Sequence, residues 1–174
     1  MDKKQRILWG GATASSQYEG GFSSAKGLDT QDCRAYLPRT SNATEETRLL
    51  TKEKIEEAKS LNSNKYYPFR NGTKGFDHLE EDIEYLDELG LDVYRFSISW
   101  ARLFPNGVEE VPSPEGVAYY DRVFNLLAEK GIKIFLTLNH YAMPIYLVEQ
   151  YGGWKGRECI EHFMRFATFV FERW

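Results

Sequence analysis

Gln17, Arg95 and His140 are the residues whose chemistry stands out most from their surroundings. Gln17 and Glu19 follow the glycine-rich run Trp9-Gly10-Gly11-Ala12-Thr13-Ala14-Ser15-Ser16. Arg95 lies in the apolar, β-prone run from Tyr94 to Pro105, which also carries Trp100 and Arg102. Asn139, His140 and Tyr141 follow a third apolar run, Ile132 to Leu138. Burying a guanidinium is costly unless it meets a carboxylate or several acceptors. Arg95 therefore either ties the fold together or holds an anion in a site. Amide, imidazole and aromatic groups together suit a sugar, because amides and imidazoles pair with hydroxyls and flat apolar faces meet ring C–H groups. None of these residues carries that reading alone.

The elements that must position them can be read from periodicity. Ile7-Leu8-Trp9 opens a strand within Ile7 to Ala14, and Gly10-Gly11 ends it in a tight backbone passage. Ser15 to Asn71 is polar and turn-rich, with one exposed helix of little apolar face over Thr51 to Leu61. A stretch that long is usually functional or disordered rather than a plain connection. Phe76, Leu79, Ile83, Leu86 and Leu89 then fall on one helical face, closed by Gly90. Leu91 to Trp100 reads as a buried strand. Ser113 as N-cap and Pro114 at the first helical position start a second helix. Its apolar face is Val117, Tyr120, Phe124 and Leu127, and Gly131 ends it. Ile132 to Leu138 is a third strand, and Ile160, Phe163, Ala167, Val170 and Trp174 mark a third helix. This βα repeat predicts a parallel sheet covered on both faces. In such folds function sits on the loops after the C-terminal strand ends, where the three groups of polar and aromatic residues fall. The pattern alone does not separate a closed barrel from a doubly wound sheet.

Length and composition bound the answer. The 174 residues are 42% hydrophobic and 15% aromatic, enough for one core but not for a complete eight-stranded α/β barrel, which takes roughly 250 residues. A net charge of −4 and a pI near 5.5 leave no electrostatic footprint for nucleic acid, and the interspersed charges predict no membrane-surface patch. No apolar stretch reaches the ~20 residues of a membrane span. Cys33 and Cys159 give no disulfide framework. Without a recognisable signal segment they read as free thiols of a cytoplasmic protein. The sequons at Asn42 and Asn71 read as chance matches. No G-x-S-x-G elbow or P-loop is present, and the glycine-rich run does not match G-x-G-x-x-G. His78, His140 and His162 have no metal-ligand spacing, so neither a metal nor a cofactor is expected.

The run from Trp9 to Gly20 resembles the opening motif of family 1 glycoside hydrolases, the β-glucosidase and 6-phospho-β-glucosidase group. Tyr94 to Pro105 is similar to their second-strand motif, Thr137 to Pro144 to their third, and Tyr151-Gly152-Gly153-Trp154 to the turn beyond. The resemblance implies a (β/α)8 TIM barrel, of which residues 1–174 are the N-terminal part, comprising the first three βα units with a long first βα loop. It implies retaining hydrolysis of a small-molecule β-glycoside. Gln17 and His140 would bind sugar hydroxyls, Tyr141 would pack on the sugar or fill the wall, and Arg95 would keep a glutamate nucleophile ionised. Glu19 and Trp100 would be supporting residues. His140 to Trp154 and Tyr66-Tyr67-Pro68 are closer to the 6-phospho-β-glucosidases, whose phosphate site lies beyond residue 174. Neither glutamate motif of the family, Asn-Glu-Pro or Glu-Asn-Gly, occurs in the sequence. The chain is thus expected to supply substrate contacts without a catalytic carboxylate. The rival reading is a non-catalytic sugar-binding or structural half-barrel.

Overall fold

The structure is a computed structural model describing residues 7–22, 26–38, 49–60 and 62–174. Strands β1 (Gly10–Ala12), β2 (Val93–Ser97) and β3 (Lys133–Thr137) form one parallel sheet in that order. Gly10 is level with Val93 and Val93 with Lys133, so Ala12, Arg95 and Phe135 stand in one row. β1 falls on the glycine pair rather than on the apolar triplet before it. Ile7 and Trp9 are 77% and 73% exposed. Close approach explains the shift: a Cβ on Gly10 would come within 2.5 Å of Val93, so only glycine lets β1 lie this near β2. Trp9 is still held by its backbone, which donates to Asp92 Oδ2 at 3.0 Å.

A short helix, α1 (Ser15–Tyr18), follows β1 directly, where the sequence suggests only loop. α2 (Lys52–Lys59) starts at Thr51, whose Oγ1 accepts from the Lys54 amide at 3.4 Å. Its apolar face is real though narrow. Ile55 and Ala58 are buried with Cys33, Tyr67 and Ile145 in a small second core. α3 (Pro68–Asn71) leads to α4 (Leu79–Glu88), in which Leu79 and Ile83 are buried. Leu89, expected on that face, is 74% exposed, because the helix has ended and Leu89 caps it before Gly90 turns the chain at φ +69°. α5 (Trp100–Leu103) follows β2. α6 (Pro114–Glu129) is capped by Ser113, whose Oγ accepts from the Gly116 amide. After β3 come α7 (Ile145–Tyr151), a 3-10 turn (Gly153–Lys155) and α8 (Glu158–Arg173). α8 buries Cys159, Phe166, Ala167 and Val170, while Ile160 is half exposed.

One face of the sheet is covered. Tyr94 and Phe96 are buried toward the helices, and Phe96 meets the edge of Phe124 at 5.5 Å. The opposite face is open, unlike the sheet expected with both faces covered: Ala12 is exposed and Phe135 is 64% exposed. Among the described residues β3 pairs only with β2. Asn42, in one of the two sequons, lies outside the described residues.

Candidate functional site

Side chains alternate across a strand. With Tyr94 and Phe96 turned to the helices, Arg95 must project from the open face. It is half-buried there. Its Nε donates to Thr137 Oγ1 at 2.8 Å, and a terminal nitrogen lies 3.5 Å from His140 Nδ1. Thr137 stands two residues beyond Phe135, the register partner of Arg95, so parallel pairing brings these side chains to one face. Among the described residues Arg95 forms no ion pair. Of the two roles open to it from sequence, the structural ion pair falls to a different arginine.

Arg102 is that arginine. It is completely buried, as is nearly all of Glu19. Arg102 Nε donates to Glu19 Oε2 at 2.8 Å, and a second guanidinium nitrogen donates to the Gly20 carbonyl at 2.8 Å. The Tyr120 hydroxyl donates to Glu19 Oε1 at 2.6 Å and accepts from the Ser99 amide at 2.6 Å. The guanidinium also lies over the Phe76 ring, 4.4 Å from its centroid. A buried ion pair is tolerable when its other lone pairs and protons are satisfied in this way. Burial, followed by the Glu19 charge, holds the Tyr120 phenol well above its ordinary pKa. Glu19 therefore faces the interior and anchors the turn after α1 to α5 and α6.

α1 carries Gln17, with its side chain exposed. The segment from Thr73 to Phe76 clasps its backbone. The Thr73 amide donates to the Gln17 carbonyl at 3.1 Å, that of Gly75 to Tyr18 at 2.9 Å, and that of Phe76 to Glu19 at 2.9 Å. Gln17 thus presents an exposed amide from a backbone-clasped mount at the C-terminal end of β1. At the end of β3, His140 is half-buried and its ring meets that of Tyr141 edge-on at 4.7 Å. Tyr141 is 80% exposed.

Trp100 lies elsewhere. It is 1% exposed, and its ring stacks on Phe166 at 5.4 Å with Phe163 and Trp154 around it. It is a core residue behind the strand end and offers no platform to a sugar. The structure therefore brings Arg95, Thr137, His140 and Tyr141 together, mounts Gln17 on the same edge of the sheet, and sets Glu19 and Trp100 behind. Sequence reasoning missed Thr137, whose place on the same face as Arg95, two residues beyond its register partner, only strand register reveals, and the pairing of Arg102 with a carboxylate 83 residues away.

A cavity of about 540 Å³ opens beneath the long first loop, lined by residues including Tyr36, Leu50, Tyr66 and Tyr67. None of Gln17, Arg95, His140 or Tyr141 lines it, so the strand-end cluster rests on its chemistry and its place in the fold. Among the described residues no group of His, Cys, Asp or Glu could hold a metal ion, and no helix is long and apolar enough to cross a membrane.

Residues 3–174 match the family model of glycosyl hydrolase family 1. The 6-phospho-β-glucosidase AscB of Escherichia coli is 38% identical over 169 residues, covering 97% of this chain and 34% of that protein. The aryl-phospho-β-D-glucosidase BglH of Bacillus subtilis is 39% identical over 169 residues, covering 97% of this chain and 32% of that protein. A rice β-glucosidase structure superposes with a TM-score of 0.76 at 27% identity, over 98% of this chain and 31% of its own. A β-glucosidase from Exiguobacterium marinum gives 0.72 at 28% identity, over 99% and 34%. The chain belongs to glycosyl hydrolase family 1, and its three strands are an incomplete piece of that family's (β/α)8 barrel. It spans about a third of the length of the curated relatives it matches.

Proposed function

We propose that this chain is the substrate-facing front part of an enzyme that hydrolyses β-glycosides with retention of configuration, and that its preferred glycosides carry a 6-phosphate. One observation carries the reading: a guanidinium on the open sheet face, beside an imidazole at the strand ends and with no ion-pair partner among the described residues. Retaining glycosidases set two carboxyl groups about 5–5.5 Å apart, one as acid and then base, the other as nucleophile. A carboxylate delivered beside Arg95 by chain outside these residues would be kept ionised by that cation. Gln17 and His140 would take sugar hydroxyls, and Tyr141 would form part of the wall.

Relatives support this reading. A mutant of the rice β-glucosidase, matched here at a TM-score of 0.76, is captured in a covalent complex with glucose, as a retaining route requires. For the phosphate, identity and breadth of match disagree. A plant β-glucosidase from rice is 43% identical, but over 60% of this chain; the phospho-glucosidases are 38–39% identical over 97% of it. The broader match spans nearly the whole chain and is preferred. Steady-state kinetics of the full-length enzyme on an aryl β-glucoside, with and without 6-phosphate, tests both parts. Higher kcat/KM on the phosphorylated substrate is expected. Equal or better turnover of the plain glucoside overturns the phosphate preference, and turnover of neither overturns the reaction.

A further inference from the structure

Tyr141 is one of two non-glycine residues with positive φ among those described, at +69°. A tyrosine persists there only where its surroundings over-determine the backbone. Those surroundings are a strap from the long first loop. The Thr30 amide donates to the Met143 carbonyl at 2.9 Å. Thr30 Oγ1 donates to the Tyr141 carbonyl at 3.3 Å and accepts from the Met143 amide at 3.3 Å. Next to these contacts, Asp29 forms an isolated antiparallel bridge with Pro144, and the Ile145 amide donates to the Leu28 carbonyl at 2.8 Å. One threonine thus holds the carbonyl of the strained residue and both backbone polar groups of Met143, two residues on.

The strap is itself fixed from beneath. Asp29 Oδ1 accepts from the amides of Gln31 at 2.7 Å and Asp32 at 3.0 Å. Lys26 Nζ lies 2.9 Å from Asp29 Oδ2 and 2.7 Å from Asp32 Oδ2, and the three side chains are only 4%, 1% and 0% exposed. Gly27 ties this knot to the segment after β2. Its amide donates to the Ala101 carbonyl, and a Cβ there would lie 1.9 Å from the Pro105 carbonyl oxygen. Two buried carboxylates sharing one ammonium are a costly way to shape a surface loop; a loop that must hold one conformation accounts for them.

We infer that Thr30, held by the buried Lys26–Asp29–Asp32 knot, is a positioning residue that fixes His140 and Tyr141 in the arrangement that receives the sugar. The inference rests on the proposed function and extends it to a residue that touches no substrate. The test uses the full-length enzyme with Thr30→Val, which deletes both Oγ1 bonds, and Thr30→Ser, which keeps the hydroxyl. Thr30→Val is expected to lower kcat/KM on the aryl β-glucoside roughly tenfold or more, as misplacement of a binding group does, with little change in melting temperature. Thr30→Ser is expected to recover most of that loss. In a Tyr141→Gly background, which has no strain to hold, Thr30→Val is expected to cost distinctly less. Wild-type kcat/KM in Thr30→Val, equal losses in the Val and Ser variants, or additive effects with Tyr141→Gly would each overturn the inference. Hydrogen exchange at the Met143 amide, expected to quicken in Thr30→Val, reads the strap without substrate. An enzyme inert toward β-glycosides but showing this exchange change would refute the function and leave the strap standing; unchanged exchange would refute the strap.

Discussion

Arg95 and Arg102 lie on the same short stretch of chain, yet burial and partners separate their roles. Arg102 sits in the core with Glu19, Gly20 and two aromatic rings. Arg102→Met leaves the Glu19 carboxylate buried without its cation, and a loss of ~3–5 kcal/mol in unfolding free energy is expected. Chemical denaturation checks this; an unchanged midpoint would mean that the Glu19 carboxylate finds water or another partner. Arg95, half-buried and bonded to Thr137 and His140, is expected to behave differently. Arg95→Met in the full-length enzyme is expected to cut kcat far more than it lowers melting temperature. The same division applies to Gln17 and His140. Gln17→Ala and His140→Ala are expected to weaken kcat/KM while the melting temperature holds, because hydrogen bonds to sugar hydroxyls that tighten in the transition state are worth several kcal/mol together, about 10²-fold or more in rate. Wild-type kinetics in both variants would show that neither residue meets the substrate. Which arginine pairs with Glu19 is not legible in the sequence, since Glu19 at the end of α1 and Arg102 on α5 meet only through tertiary packing.

At the scale of elements, the sequence is legible where a signal is complete in a few residues. Ser113-Pro114 starts α6, Gly90 and Gly131 stop the helices before β2 and β3, and both glycines take positive φ. β1 falls on the glycine pair rather than the apolar triplet because its determinant is not local: glycine at position 10 is required by Val93 on the neighbouring strand. Gly10→Ala is expected to destabilise the protein by ~1–3 kcal/mol through overpacking, measurable as a lowered melting temperature; an unshifted melt would mean that β1 tolerates displacement. The knot in the first loop was invisible for the same reason, since nothing in Lys26 to Asp32 predicts burial. Its burial has a pH signature. Burial first, then the Asp29 charge, with Lys26 opposing, pushes the Asp32 carboxyl from its ordinary 3.8 up to about 7. A carboxyl raised in the folded state binds its proton more tightly there, so its contribution to stability is complete below about pH 4 and lost as pH rises through about 7. Thermal melts from about pH 5 to about pH 8 are expected to decline less in Asp32→Asn than in the wild type. Parallel curves would show that Asp32 does not titrate in this window.

At the scale of the whole molecule, the sequence motifs identified the family because they fall at strand ends, where a barrel keeps its chemistry. They could not show that the face carrying Arg95 and Phe135 stays open in these residues. That face, the edge of β3 that is unpaired among the described residues, and the exposed Met164 and Phe171 on α8 are surfaces that an incomplete piece of the barrel leaves uncovered. A strand edge left open invites pairing with other chains. The 174-residue chain expressed alone is therefore expected to elute as an associated species in size exclusion; a monomer with a cooperative thermal transition would show that three βα units stand unaided. The central claim is that these residues hold the sugar while both catalytic carboxylates come from chain outside them. Hydrolysis of an aryl 6-phospho-β-glucoside, measured side by side for the full-length enzyme and for the repurified 174-residue chain, tests it most directly. Turnover by the full-length enzyme and none above a matched blank by the isolated chain is the predicted result. Turnover by the isolated chain that survives repurification would contradict it and place the catalytic carboxylates within these residues.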